Sequence, residues 1–270
     1  MNNKYYFPPV HFWTLWFSEA MRYFAAKNGF KVNKNTKAID IGCGLGYHCF
    51  TLSNLGLIDV IGVDISKETM DLLNEFRQKP RFFKLNICTD DISQFLNYFN
   101  IIFSSDVYEH VDDPQVMIDN IFKMLAANGA ACITFPNWDN HGQNQFSDKN
   151  QLLERFQKAG FREINIDVID NYSLIYRFFM KFYILAQKIS DILFSIKRKQ
   201  VKGTTMPESD EFHGMYAFQK IQKLKKHKLI CSVINVEYSL LKIFLRISPP
   251  FISSNSNQVT NKRIIVFAKR

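Results

Sequence analysis

The sequence predicts an α/β protein built on a mostly parallel sheet, and three observations carry that reading. Short apolar runs recur at Ala38–Ile41, Ile58–Val63, Phe82–Ile87, Ile101–Ser104 and Ala130–Phe135. Segments with apolar residues at helical spacing separate them, and parallel strands require such crossovers. A glycine-rich turn, Asp40-Ile41-Gly42-Cys43-Gly44-Leu45-Gly46, ends the first run and opens a helical pattern. Strands and helices alternating at this length form right-handed βαβ units. With 270 residues, 47% hydrophobic and 15% aromatic, the chain can bury a core of that kind, and a disordered polymer is excluded.

Each element has its own signal. His11 to Lys27 reads as a helix carrying Trp13, Trp16, Phe17, Tyr23 and Phe24. Within residues 1–30 it is expected either as a lid over a ligand cleft or as a helix packed on the sheet edge. After the glycine turn a helix spans Tyr47–Leu55, and Ser66 caps another that holds Met70, Leu73 and Phe76. Asp113-Pro114 is a strong start signal: the carboxylate accepts free helix N–H groups, and proline fits the first helical position. That helix is expected to run through Ile118, Ile121 and Leu125 and end near Gly129. Ser147 opens the next, with Leu152, Leu153 and Phe156 inward and Gly160 as its stop. Ile164–Ile169 reads as a sixth strand and Arg263–Ala268 as a seventh.

The glycine turn allows a tight bend and close approach of the backbone to a ligand at a helix N-terminus. The dinucleotide fingerprint is disfavoured, because Tyr47 stands where its third small residue belongs. The second strand ends in Gly62-Val63-Asp64-Ile65-Ser66. An acidic strand end at this distance from the turn is placed to take two ribose hydroxyls.

At these residues the chain resembles the class I S-adenosylmethionine-dependent methyltransferases. The stretches that carry the resemblance are AIDIGCGLG (38–46), IGVDIS (61–66), FKLNI (83–87), IIFSSDVYEHVDDP (101–114), ANGAACITFPN (127–137) and LLERFQKAGF (152–161). It covers about residues 30–170 plus the last strand. It implies a Rossmann-like, seven-stranded sheet of order 3-2-1-4-5-7-6 with strand 7 antiparallel, and S-adenosylmethionine as cofactor. Asp40, Gly42, Cys43, Gly44 and Gly46 would surround its methionine part, Asp64 with Ile65 its ribose, and Asn86 and Ile87 its adenine, with Ser105 a further contact. Asn86 stands where such proteins often have Asp, and its side chain would still bond the adenine amino group.

The run Ser104-Ser105-Asp106-Val107-Tyr108-Glu109-His110-Val111-Asp112-Asp113-Pro114 follows strand four, at the cleft mouth of an open α/β sheet. It looks like the Glu-Val-x-Glu-His motif of ubiquinone-biosynthesis O-methyltransferases, with Asp106 in place of the first Glu. By that resemblance Asp106, Glu109 and His110 could hold a divalent cation such as Mg²⁺, although no metal is the favoured reading. Methyl transfer needs an aligned nucleophile and exclusion of water, and an oxygen nucleophile gains from a base. His110 is the first choice for that base, and His141, in the segment after strand five, the second.

Charge is unevenly spread. The total of +9 comprises −4 in residues 1–170 and +9 in residues 171–250, the remainder lying at the C-terminal end. Residues 1–170 and 262–270 are expected to form the methyltransferase core, and 171–261 a basic, aromatic helical insertion. In Tyr172–Ile196, Arg177, Lys181, Lys188 and Asp191 fall within about 80° of one another on a helical wheel, opposite a wide apolar face. Four charges cost a single membrane span more than its apolar residues return. A narrow cationic stripe beside a broad aromatic face suits a helix lying in a membrane interface, or one packed on the sheet or a second subunit. KRK (197–199) and KLKKHK (223–228) add basic charge that anionic lipid would attract. No nucleic-acid module is recognisable.

Five scattered cysteines without a Cys-x-x-Cys pair, and an N-terminus without a secretory pattern, fit a cytoplasmic protein, peripheral at the inner membrane face. The expected activity is O-methylation of an amphiphilic or lipid-linked acceptor. The competing readings are a soluble enzyme acting on a small metabolite or glycan, with the insertion as a dimer interface, and a non-catalytic membrane adaptor.

Overall fold

The structure is a computed structural model, and it describes residues 12–44, 46–54, 56–74, 80–137, 146, 148–174, 177–178, 181, 250–254, 257, 259 and 262–270. The chain divides into two compact units. One comprises residues 13–171 with 251–270, and the other residues 1–12 with 172–250. The second lies almost wholly outside the described residues, and so does most of the segment read as a basic insertion. Its described end shows Ser173 N–H donating to the Pro250 carbonyl at 3.4 Å and Arg177 N–H to the Ser173 carbonyl at 3.0 Å.

In the larger unit the elements run α1 (Phe12–Lys27), β1 (Lys37–Ile41), α2 (Tyr47–Asn54), β2 (Asp59–Asp64), α3 (Lys67–Asn74), β3 (Arg81–Lys84), β4 (Phe99–Ser105), α4 (Pro114–Met124), β5 (Leu125–Asn137), α5 (Lys149–Ala159), β6 (Glu163–Tyr172), β7 (Phe251–Ser254) and β8 (Lys262–Lys269). The sheet order is β3-β2-β1-β4-β5-β8-β6-β7. Strands β1 to β5 pair in parallel, and β8 lies antiparallel between β5 and β6. With β7 set aside, this is the expected seven-stranded order. The eighth strand is an edge addition from within the segment read as insertion, and its four residues are too short for periodicity to reveal.

Strand alternation divides the core into two layers. Ile39, Ile61, Ile102, Ala131, Ile133, Ile264 and Val266 face a cluster that includes Met117, Ile118 and Ile121 of α4 and Leu152 and Phe156 of α5. The opposite face is covered by α1 and α2: the Cys132 thiol donates to the Met21 carbonyl at 3.3 Å, and His48 packs edge-on against Phe103 at 4.6 Å. Each such Ile, Leu or Phe contributes about 1.5–3 kcal/mol by leaving water. From Ser18 onward α1 is therefore a layer of the core. The described part of α1 thus packs on the sheet, one of the two expected placements; residues 1–11 lie outside the described set.

The caps follow sequence chemistry. Asp113 Oδ1 accepts the N–H groups of Gln115 and Val116 at 2.9 and 3.2 Å, ahead of Pro114. Asp148 caps α5 in the same way, and Gly160 ends it at φ 108. Helix α4 stops at Met124 rather than near Gly129. Leu125 already pairs with Phe99, and the register then skips to Ile101–Ala130. Asn128 sits at φ 61, and a Cβ on Gly129 would stand 2.9 Å from the carbonyls of Ala126 and Phe99. An irregular turn inside the strand thus occupies what periodicity reads as the end of the helix.

Candidate active site

The glycine turn leaves β1 where the strand order reverses, between β1 and β4, which is where open α/β sheets form their ligand crevice. The Val63 carbonyl accepts the N–H groups of both Gly42 and Cys43, at 2.8 and 3.0 Å, and Gly46 N–H closes the turn onto the Cys43 carbonyl at 2.8 Å. Gly42, Gly44 and Gly46 all have positive φ. A Cβ on Gly42 would run into Val107, and one on Gly46 would stand 2.6 Å from the Phe82 ring. At Gly44 it would meet nothing within 4 Å. The turn is packed at both flanks and open at its centre.

Asp64 faces that centre. Its Oδ2 accepts the Gly44 N–H at 2.9 Å and its Oδ1 the Ser66 N–H at 3.1 Å. Ile65 is 68% exposed beside it. An open glycine backbone next to a fixed two-oxygen acceptor fits the cofactor that the resemblance implies.

Other expected contacts take more qualified positions. The Asp40 side chain is buried against α2, where its Oδ1 lies 3.3 Å from His48 Nδ1. His48 Nε2 is buried with no hydrogen-bond partner among the described residues. Cys43 is buried, its sulfur 3.8 Å from that of Met70, and burial pushes its thiol pKa up. It therefore serves the turn through its backbone. Asn86 Oδ1 accepts the Cys88 N–H at 3.0 Å, so a bond to an adenine amino group would use the oxygen's second lone pair. Ile87 belongs to the core cluster, and its carbonyl accepts from Asn120 Nδ2 at 2.8 Å. Leu45 and His141 lie outside the described residues.

The turn after β4 is held by several polar contacts. Ser105 Oγ donates to Asp106 Oδ2 at 3.1 Å, and Asp106 N–H donates to the Thr134 carbonyl at 2.9 Å. Asp106 adopts φ 57, unusual for a residue with a Cβ. Its Oδ1 accepts from Arg263 Nη1 at 2.7 Å. Tyr108, Glu109 and His110 form one 3-10 turn. The Tyr108 ring stacks on Phe135 at 4.4 Å, and its hydroxyl accepts from Arg155 Nη1 at 3.2 Å. The Glu109 side chain is 4% exposed, with Oε1 3.8 Å from Nε2 of a His110 that is 56% exposed. Burial pushes the Glu109 carboxyl up to about 7; the Asp106 charge adds to this and Arg263 opposes it.

The optional metal set is corrected by this geometry. Among the described residues no three His, Cys, Asp or Glu side chains gather as a metal site. Asp106 Oδ1 already pairs with the Arg263 guanidinium, whose fixed positive charge would repel a cation, and Ser105 Oγ donates to Oδ2. The residues do not fit a divalent cation.

Sequence reasoning missed Arg263 and Asn137. Arg263 meets a residue 157 positions earlier, which no local pattern reports. Asn137, at the end of β5, donates through Nδ2 to the Phe146 and Val259 carbonyls and accepts the Phe146 N–H at Oδ1, at 2.8–2.9 Å. A polar residue closing a continuous apolar strand was the available signal.

The sheet order, the switch-point turn and the strand-end carboxylate are similar to those of the class I S-adenosylmethionine-dependent methyltransferases. More narrowly, residues 32–164 match the family described as Methyltransferase domain. Over 127 residues the chain is 32% identical to the mitochondrial ubiquinone biosynthesis O-methyltransferase of Dictyostelium discoideum, covering 38% of this chain and 39% of that protein. It is 30% identical over 108 residues to the ubiquinone biosynthesis O-methyltransferase of Pelagibacter ubique, covering 39% and 44%. The matched region thus spans about two fifths of these relatives' length. Among solved structures, phosphoethanolamine N-methyltransferase 2 of Haemonchus contortus aligns over 92% of this chain and 52% of its own, with TM-score 0.53 and 17% identity. A SAM-dependent methyltransferase of Archaeoglobus fulgidus aligns over 94% of both chains with TM-score 0.50 and 15% identity. These two likenesses concern the fold.

Proposed function

We propose that the protein transfers the methyl group of S-adenosylmethionine to an oxygen of an amphiphilic or lipid-linked acceptor, such as a quinone precursor, a prenylated phenol or a lipid-linked sugar. The observation that carries the cofactor reading is the open Gly44 backbone joined to the Asp64 carboxylate. Support for the acceptor class comes from relatives named for ubiquinone biosynthesis and, at 26% identity over 141 residues, a 2-methyl-6-phytyl-1,4-hydroquinone methyltransferase of rice.

When bound, the cofactor supplies an activated methyl sulfonium, so the chain's own task is alignment and exclusion of water. Gly42, Gly44 and Gly46 would seat the methionine part, and Asp64 the ribose hydroxyls. Asn86 and the Ile87 backbone would border the adenine, with Ile65 beside Asp64 and Ser105 closing the β4 side. His110 is the proposed base for the acceptor hydroxyl. Glu109 Oε1 lies 3.8 Å from its Nε2, and burial pushes that carboxyl up to about 7.

The basic segment 171–250 is proposed to rest on an anionic membrane surface at the cytoplasmic face and deliver the acceptor. Its charge and aromatic content support this reading. No helix among the described residues is long and apolar enough to cross a membrane.

Calorimetric titration with S-adenosylhomocysteine tests the cofactor, and absence of binding would argue against the assignment. Mass-spectrometric detection of methyl transfer to short-prenyl catechols tests the acceptor. Flotation with anionic liposomes, with and without residues 171–250, tests the surface; equal flotation sinks it.

A further inference from the structure

We infer that Arg263 is the resident cation of the acidic turn, and that its ion pair with Asp106 sets the packing of that turn against the glycine turn. Arg263 is a positioning residue that acts through Asp106 and Val107. The inference rests on the reading of the glycine turn as the cofactor seat.

Three independent observations meet here. Asp106 holds a left-handed backbone conformation at the end of β4, beside the point where the strand order reverses. Asp tolerates that conformation better than most residues with a Cβ, yet it still costs energy that the surroundings must offset. Here they do so: the backbone N–H is fixed to Thr134, one carboxylate oxygen to Ser105 and the other to the Arg263 guanidinium. The next residue is Val107, whose side chain fills the space that a Cβ on Gly42 would take. The geometry of residue 106 therefore determines how closely the β4 turn presses on the cofactor turn.

Arg263 is itself well anchored. It pairs with Pro136 of β5 on one side and Ile169 of β6 on the other. Adjacent to it, Thr134 Oγ1 donates to the Ile264 carbonyl at 2.9 Å. Its side chain is 14% exposed, so the guanidinium is delivered from a rigid strand rather than from a mobile surface arm. A fixed guanidinium bonded to a carboxylate oxygen places one positive charge where a cation would otherwise pair with Asp106. The acidic turn therefore needs no added ion to hold its shape.

The test uses the full-length chain titrated with S-adenosylhomocysteine in the presence of EDTA and in the presence of Mg²⁺. Wild type is expected to give the same affinity in both. Arg263→Met and Asp106→Asn should each weaken binding by about five- to tenfold, and the double variant should be no weaker than either, the signature of one shared interaction. Arg263→Lys should recover part of the loss. A thermal-melting cycle on the same four proteins, without ligand, reads the pair independently of cofactor binding. Tighter binding with Mg²⁺, multiplicative losses in the double variant, or wild-type affinity in Arg263→Met would each overturn the proposal. Failure of wild type to bind at all would overturn the cofactor reading instead, while the melting cycle would still report on the pair.

Discussion

The Asp64 carboxylate at the end of β2 and the Gly44 N–H in the turn after β1 stand 2.9 Å apart. One carboxylate thus organises the turn beside it and presents acceptor oxygens to the ligand. Asp64→Asn would set an amide in a site where both oxygens accept backbone N–H groups. We expect it to weaken S-adenosylhomocysteine binding by about 10- to 100-fold, with Asp64→Ala at the weak end of that range. Calorimetry measures this directly.

The glycines differ in what they tolerate. Gly44→Ala meets open space and bears only the left-handed backbone cost, about 1–2 kcal/mol of stability. Gly42→Ala bears that cost and also collides with Val107, so its loss should exceed that of Gly44→Ala by about 1–3 kcal/mol. Adding Val107→Ala to Gly42→Ala should recover part of the difference. Urea melts of the four proteins check the order.

Glu109 makes stability depend on pH. Its carboxyl rises from the ordinary 4.5 to about 7 in the folded chain, chiefly through burial. The folded state therefore binds the proton more tightly than the unfolded one. Its contribution is fully present below pH 4.5 and is lost as pH rises to about 7. Glu109→Gln should flatten that slope and gain on the order of 2 kcal/mol relative to wild type above pH 7. Melting temperatures measured between pH 4 and 8 give the comparison. Identical slopes would count against a buried carboxyl.

Asn137 is 2% exposed and uses its amide to join β5, Phe146 and Val259. Asn137→Leu keeps the branched shape, with bulkier methyl groups, and leaves two carbonyls and one N–H without this partner. A loss of about 2–4 kcal/mol in a denaturant melt is expected, with Asn137→Asp no better, since its oxygen would face the two carbonyls.

What the sequence revealed follows the range of the forces involved. Period-2 apolar runs and capping residues such as Asp113 and Gly160 act within a few positions, so the strands and most helix ends were legible. The glycine turn and Asp64 were legible because their roles depend on backbone conformation and strand-end position, both local. His110 was singled out for its chemistry, but its exposure and the burial of its neighbour Glu109 depend on packing from other elements. The Asp106–Arg263 pair and the Asn137 junction join segments far apart in the chain. The end of α4 was misplaced because an internal strand turn at Asn128–Gly129 imitates a helix stop.

The place of β8 bears on how the molecule assembles. Strands β5 and β6 come earlier in the chain yet never pair with each other; each pairs with β8, which enters between them. Until Lys262–Lys269 docks, both present open edges, and the loop to be closed includes the whole basic segment. Closing so long a loop ahead of the contacts that reward it slows folding. Refolding should therefore show an early phase in the β1–β4 half and a later one that brings in Arg263 together with the cluster beneath Tyr108. The acidic turn would then be the last part of the crevice to take its shape.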